Sequence, residues 1–212
     1  MRKIVKAAAA ASAVAMFAAV IVPLTSYADS SSTTTVNVTV NTECILGDDN
    51  NGSTSNSGAA ALTVGPLTAT TLSGTASSDG TDNDLGVTCN NATWALDQEI
   101  NTAYTVNLMN GATVGFTPYA SGTATDASDF AANTWAMKYA ASTNPANAAT
   151  TGSVDSAASV WHAVPANGSP MEIATGTATS GYFITQTLGA KTDGSLAAGT
   201  YTSQILYTLT GV

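Results

Sequence analysis

The chain has 212 residues, of which 14 are acidic and 5 basic, giving a formal net charge of −9 at pH 7. Only 9% of the residues are charged, and Ala, Gly, Ser, Thr and Asn are abundant. This composition argues against nucleic acid and anionic membrane surfaces as partners, because both are bound through clustered cations.

The first 28 residues have the pattern of a secretory signal peptide. Three basic residues precede an Ala-rich apolar run from Ala7 to about Leu24, and Ser26 and Ala28 supply the small residues typical of a cleavage site. A retained membrane anchor is the alternative, but the run is barely long enough to span a bilayer and lacks basic residues after it. We therefore expect cleavage before Asp29, secretion, and no membrane anchor in the mature chain.

The mature chain contains two cysteines and two cations. Lys138 and Lys191 are its only basic residues, so the acidic excess is interpreted as a solubility device. Cys44 and Cys89 are the only cysteines, and they lie in a chain predicted to be exported. Because exported chains meet an oxidising compartment, we predict a single intrachain disulfide between them.

Alternation of apolar and polar residues recurs along the mature chain and predicts short β-strands. Turn-forming stretches separate the strands, as at Ser77–Asp84 and Ser142–Ser156, and no segment predicts a long amphipathic helix. The pattern indicates one all-β domain, an antiparallel sandwich or barrel. The alternating sets are Val36, Val38 and Val40; Leu62 and Val64; Leu85, Val87 and Cys89; Tyr104, Val106 and Leu108; Val114 and Phe116; Trp135, Met137 and Tyr139; Met171 and Ile173; Tyr182 and Ile184; and Tyr201, Ser203, Ile205, Tyr207 and Leu209.

Catalytic chemistry has little support in the sequence. His162 is the only histidine, so a Ser-His or Cys-His arrangement would have to use it, and no nucleophile motif accompanies it. We interpret it as a histidine in a loop or at a strand end, beside a core Trp161. We assign no catalytic residue, expect no enzyme activity, and predict no cofactor.

One acidic loop has the composition of a calcium site. Asp79, Asp82 and Asp84 lie close together around a glycine and an asparagine, and carboxylate and amide oxygens are the ligands that Ca²⁺ prefers. The spacing does not match an EF-hand. We therefore interpret the same residues as a solvated turn and assign no metal site, with calcium as the alternative.

Four short motifs carry a family resemblance. They are Cys44-Ile-Leu-Gly47, Val87-Thr-Cys89-Asn-Asn, Tyr104-Thr-Val-Asn-Leu-Met-Asn-Gly111 and Ala198-Gly-Thr-Tyr-Thr202. In this order, and after an alternating N-terminal arm, the motifs resemble those of the spore coat protein U and archaic chaperone-usher pilin family. The resemblance extends over essentially the whole mature chain.

The resemblance implies an incomplete immunoglobulin-like sandwich that lacks its last strand and exposes an apolar groove. It divides the chain into a signal peptide (1–28), an N-terminal arm (29–43) and a β-sandwich domain (44–212). The arm of a neighbouring subunit would fill the groove with Val36, Val38 and Val40. The implied partners are further copies or related pilin subunits, a periplasmic chaperone and an outer-membrane usher. The chain would pass through the periplasm to a surface filament that serves adhesion or biofilm formation.

Two alternatives stay open at the level of sequence. The three valines of the arm have the same alternation if they form the first strand of their own, complete sandwich. In that case the chain would be a self-contained secreted or cell-surface binding module. A secreted hydrolase would instead require convergent carboxylates in a pocket.

Overall fold

The computed structural model of the protein describes residues 38, 40, 42–47, 62–78, 84–120, 122–142 and 151–212. The chain divides into two units, Met1–Val40 and Asn41–Val212, and all of the described secondary structure belongs to the second. It consists of β-strands and one short 3-10 helix, which confirms the predicted all-β class. No helix in the described ranges is long and apolar enough to cross a membrane.

Nine strands and the 3-10 helix make up the described fold. In chain order they are β1 (Cys44–Gly47), β2 (Ser73–Ser77), β3 (Leu85–Ile100), β4 (Leu108–Asn110), β5 (Thr113–Pro118), the 3-10 helix (Ala127–Asp129), β6 (Thr134–Ala141), β7 (Gly152–Val154), β8 (Met171–Lys191) and β9 (Ile205–Gly211).

The two long strands, β3 and β8, organise the sheet. They pair with each other in antiparallel fashion, with register shifts along the way. On its other edge β3 pairs with β1 over Gly86–Cys89 and with β9 over Trp94–Ile100, so that β1 and β9 follow one another along the same edge. Strands β2, β6 and β7 pair with β8, and a short parallel pairing joins β5 to β6.

The sheet folds back on itself into a sandwich-like arrangement. The Tyr139 hydroxyl of β6 donates to the Gln98 side chain of β3, and the Tyr207 hydroxyl of β9 donates to the Gln186 side chain of β8. Among the described residues no ladder joins β3 to β6 or β9 to β8. Facing side chains thus meet across an interior. The interior also contains large apolar side chains that are almost fully buried, such as Trp94, Leu96, Ile100, Met137 and Ile184.

The alternation predicted for the last strand is confirmed. From Tyr201 to Leu209 the odd-numbered residues are half-buried and the even-numbered residues are exposed. The predicted strand face is therefore the inner face of β9 and of the extended segment before it. Strand β6 is confirmed as well, with Trp135, Met137 and Tyr139 all buried.

Two predicted strands are wrong, for local reasons. Residues 62–68 have no strand pairing, because Gly65 has a φ of 121° and Pro66 offers no N–H to a ladder. The segment around Tyr104 and Val106 turns instead of extending. There the Tyr104 N–H donates to the Asn101 carbonyl at 2.8 Å, and only Leu108 belongs to a strand.

Other differences concern strand length and number. The two sets predicted around Met171 and Tyr182 belong to one continuous strand, β8. Strand β7 lies inside a stretch predicted as a turn. The sequence does not predict this strand because its residues, Gly-Ser-Val, show no apolar alternation. The disulfide is confirmed: Cys44 and Cys89 are opposite each other in the β1–β3 register, with Cα atoms 4.1 Å apart.

Candidate functional site: an apolar groove beside the last strand

An apolar groove of about 990 Å³ opens beside the start of β9. Two segments, 62–67 and 200–207, contribute most of its lining. None of the described residues that line it carries a charge, so the groove suits an uncharged, largely apolar occupant. The remaining lining comes from Leu46, Gly47, Leu85, Leu108, Phe116, Trp135, Met137, Gln186, Leu188 and Ala190.

One end of the groove is aromatic. The Tyr201 ring packs edge-on against Phe116, with ring centroids 5.6 Å apart. Trp135, which also lines this end, donates its indole N–H to the Val106 carbonyl at 2.9 Å. Gly115 makes the arrangement possible, since a Cβ at this position would lie 2.1 Å from the Tyr201 ring.

The other end of the groove contains a polar pair. The Tyr207 hydroxyl donates a hydrogen bond of 2.7 Å to the Gln186 side-chain carbonyl. Gln186 is only 2% exposed, and its backbone N–H is held by the Ser78 hydroxyl at 2.7 Å. The polar pair is therefore fixed in position at this end of the groove. A further inward-facing hydroxyl, that of Ser203, donates to the Thr105 carbonyl at 2.8 Å.

The open edge of β9 borders the groove. The Gln204 carbonyl accepts from Asn101, which directly follows β3, and Val212 exchanges two backbone hydrogen bonds with Thr93 of β3. Backbone N–H and C=O groups point to alternate edges along a strand. Those of the even-numbered residues therefore point toward β3, and those of the odd-numbered residues point away from it. Among the described residues no strand pairs with the edge that faces away. The odd-numbered residues therefore offer both a side chain to the groove and N–H and C=O groups to a further strand.

A buried hydrogen-bond network reaches the groove from within the core. The Tyr139 hydroxyl lies 2.9 Å from the Tyr207 hydroxyl and donates to the Gln98 side-chain carbonyl at 2.6 Å. The Gln98 amide lies 2.6 Å from Nε2 of His162, and Nδ1 of His162 lies 2.8 Å from the Val160 carbonyl. Nδ1 must donate to that carbonyl, and the Gln98 amide nitrogen can only donate to Nε2. Nε2 is therefore the acceptor, and the imidazole is neutral.

Burial shifts the titration of this network. It lowers the pKa of the His162 imidazole, an effect that the hydrogen bond to the Val160 carbonyl opposes. It also raises the pKa of both the Tyr139 and the Tyr207 hydroxyls. At neutral pH all three groups are uncharged, which is the state that an interior of low polarity favours.

Acid should weaken the fold through His162. The unfolded chain binds a proton near the ordinary pKa of about 6.5, whereas the folded chain resists it, so stability falls as the pH drops. We expect the free energy of unfolding to decrease by about 1 kcal/mol between pH 7.5 and 5.5. Urea unfolding at both pH values measures this change.

The control for this measurement is His162→Gln, which cannot titrate. The pKa values of Asp129 and Asp193 are lowered by hydrogen bonds to their carboxylates, so both groups titrate at a more acidic pH than this window. If the variant loses as much stability as the wild type between pH 7.5 and 5.5, His162 is not the responsible group.

The structure gives the predicted site residues different placements. Val36 lies outside the described residues; Val38 and Val40 are 81% and 75% exposed and belong to no strand. Asp79 and Asp82 also lie outside the described residues. Asp84 is buried directly before β3, with no hydrogen-bond partner for its carboxylate among the described residues.

Metal-binding clusters do not emerge from the described ranges. Within them, no three His, Cys, Asp or Glu side chains come together in a way that could hold a metal ion. The histidine discussed above is a buried member of the polar network beside Trp161, which is itself 2% exposed. The sequence does not indicate Gln98 or Gln186 as site residues. The two side chains are linked through Tyr139 and Tyr207, and only the fold-back of the sheet brings them together.

Comparison with known proteins identifies no family for this chain. No protein-family model matches the chain, and no curated protein matches it with significant similarity. Its function must therefore be argued from the groove itself.

Proposed function

We propose that this chain is a structural subunit of an extracellular, pilus-like filament. In the filament, the groove of one copy receives the N-terminal arm, residues 29–43, of the next copy or of a related subunit. The observation that carries the proposal is the uncharged groove bordered by the open edge of β9.

The groove and the arm complement each other in chemistry. An added strand satisfies the backbone groups of an open edge, while every second side chain fills the groove beneath. The arm presents Val36, Val38 and Val40 at this spacing, and both described valines are exposed. An open edge with an apolar groove invites association, so filling it stabilises the subunit and joins it to its neighbour.

Assembly of this kind is head-to-tail. Each copy has one arm and one groove, so the contact is heterologous and produces an open filament where the rotation does not close. Removal of residues 1–28 on export would free the arm. A periplasmic chaperone would cover the groove in transit and an outer-membrane usher would pass the subunit to the cell surface, where the filament serves adhesion or biofilm formation.

A charge placed on the inward face of the arm should prevent assembly. In the mature chain, residues 29–212, Val38→Asp would bury a carboxylate in a groove that offers it no cation, at a cost of several kcal/mol. We expect polymers of the unmodified chain in size-exclusion chromatography with light scattering, and monomers of the variant. The matched control is Asn37→Asp, which adds the same charge on the outward face and should still assemble.

The alternative of a self-contained binding module predicts the opposite result. The unmodified mature chain would then be a monomer at all concentrations, and neither substitution would change its mass. Polymers that form equally well with aspartate at position 38 would also contradict strand donation through the valine face.

A further inference from the structure

The groove is longer than the segment from Val36 to Val40 that would fill it. Its lining follows eight consecutive residues before and within β9, 200–207, which corresponds to about 23 Å of extended chain. Val36 to Val40 spans only about 13 Å at the same rise per residue. A further residue on the inward face of the arm must therefore enter the groove, and the alternation offers Thr34 on one side and Thr42 on the other.

The attachment of the arm decides between the two threonines. The Glu43 N–H donates to the Asn90 side chain at 2.6 Å, and the Asn90 N–H donates to the Glu43 carbonyl at 3.0 Å. Thr42 is thus adjacent to a residue held on its own domain, and it cannot reach deep into the groove of another copy. Thr34 lies eight residues farther out and can.

We infer that the Tyr207–Gln186 pair receives Thr34 of the incoming arm and thereby sets the register and direction of the bound strand. With Thr34 at this end, the arm lies antiparallel to β9. Val36, Val38 and Val40 then lie opposite Ile205, Ser203 and Tyr201 respectively. This inference rests on the proposed function, since it specifies how the donated arm fits the groove.

The polar pair distinguishes this register from its neighbours. A shift by two residues in one direction would place Val36 against the Tyr207 hydroxyl, which donates its proton to Gln186 and whose oxygen can accept a hydrogen bond from a threonine but not from a valine. A shift in the other direction would place Ser32 there but remove Val40 from the groove. Only the register with Thr34 at the polar pair gives it a hydroxyl and also buries all three valines.

Disulfide trapping tests the register directly. The acceptor is the mature chain carrying Val38→Asp, which cannot donate its own arm, together with Ser203→Cys. Its two native cysteines are already paired, so the new thiol is free. Peptides of residues 29–43 carrying a single cysteine at position 36, 38 or 40 are added in a glutathione buffer, and adducts are quantified by mass spectrometry.

The inference predicts that the peptide with cysteine at position 38 forms an adduct at least tenfold faster than the other two, because directly opposite Cα atoms lie within disulfide reach. Preference for position 36 or 40, or equal reaction at all three, would overturn the register.

A second measurement tests the role of Thr34 by peptide binding, in a chain that carries no added cysteine in the groove. The unmodified arm peptide and its Thr34→Val version are titrated onto the Val38→Asp chain, with and without Tyr207→Phe. We expect valine at position 34 to weaken binding about tenfold, the effect of one lost buried hydrogen bond, and we expect Tyr207→Phe to remove most of that difference. An equal loss on both chains would contradict recognition through the Tyr207 hydroxyl.

Strand donation and its register can be refuted separately. If the arm peptide binds with about 1:1 stoichiometry but without preference for Thr34 or for the predicted pairing, strand donation stands and the register is wrong. If the arm peptide does not bind the chain at all, both the register and the proposed function are refuted.

Discussion

Loss of the Cys44–Cys89 disulfide is expected to lower the free energy of unfolding by about 4 kcal/mol. The bridge closes a loop with a sequence separation of 45, and its removal gives that loop back its freedom in the unfolded chain. In the folded chain it attaches β1, only four residues long, to β3. Urea unfolding of the oxidised chain and of a Cys44→Ala, Cys89→Ala variant measures the difference.

The control for this prediction is a reducing agent. It should destabilise the wild type to the level of the double variant and leave the double variant unchanged. A difference below about 1 kcal/mol would mean that the β1–β3 ladder persists in the unfolded chain and already closes the loop. Because β1 carries Leu46 into the groove and directly follows Glu43, which is hydrogen-bonded to Asn90 at the base of the arm, we expect the double variant to assemble less well too.

The fold class could be predicted because alternation is local. Where one strand face is buried and the other is exposed, as in the last strand, period-two patterning indicates both the strand and its inner face. The prediction fails where backbone chemistry overrides the pattern. Pro66 removes a ladder hydrogen bond, and the turn from Asn101 to Tyr104 diverts a segment whose side chains alternate correctly.

The candidate site could be predicted only in part. The resemblance to a pilin family implied an apolar groove, and the structure contains one beside the last strand. The polar pair in that groove joins Gln186 in the middle of β8 to Tyr207 in β9. In the alternation of β8, Gln186 shares a strand face with Ile184 and Leu188, so the sequence pattern places it on the inner face. Only the fold-back of the sheet determines which side chain it meets there.

Replacement of Gln98 is expected to disrupt the whole buried network. Gln98 is 0% exposed; its carbonyl accepts from Tyr139, and its amide is in contact with His162. Gln98→Leu keeps a similar volume but leaves the imidazole without its donor and removes the acceptor of a buried hydroxyl. We expect the free energy of unfolding to fall by about 2–4 kcal/mol, the cost of leaving buried polar groups unsatisfied.

Gln204→Leu is the matched control for this prediction, because it makes the same exchange at an exposed glutamine whose side-chain carbonyl accepts a solvent-exposed hydrogen bond from Asn101 at 3.0 Å. It should change stability by no more than about 0.5 kcal/mol, and equal losses in the two variants would show that the network contributes nothing. The network meets the groove at Tyr207, so we expect its loss to affect binding in the groove as well. In the Val38→Asp chain, Gln98→Leu should reduce the preference for Thr34 over Val in the arm peptide. Without Gln98 as acceptor, the Tyr139 hydroxyl can donate its proton to the Tyr207 oxygen and so compete with Thr34 for it.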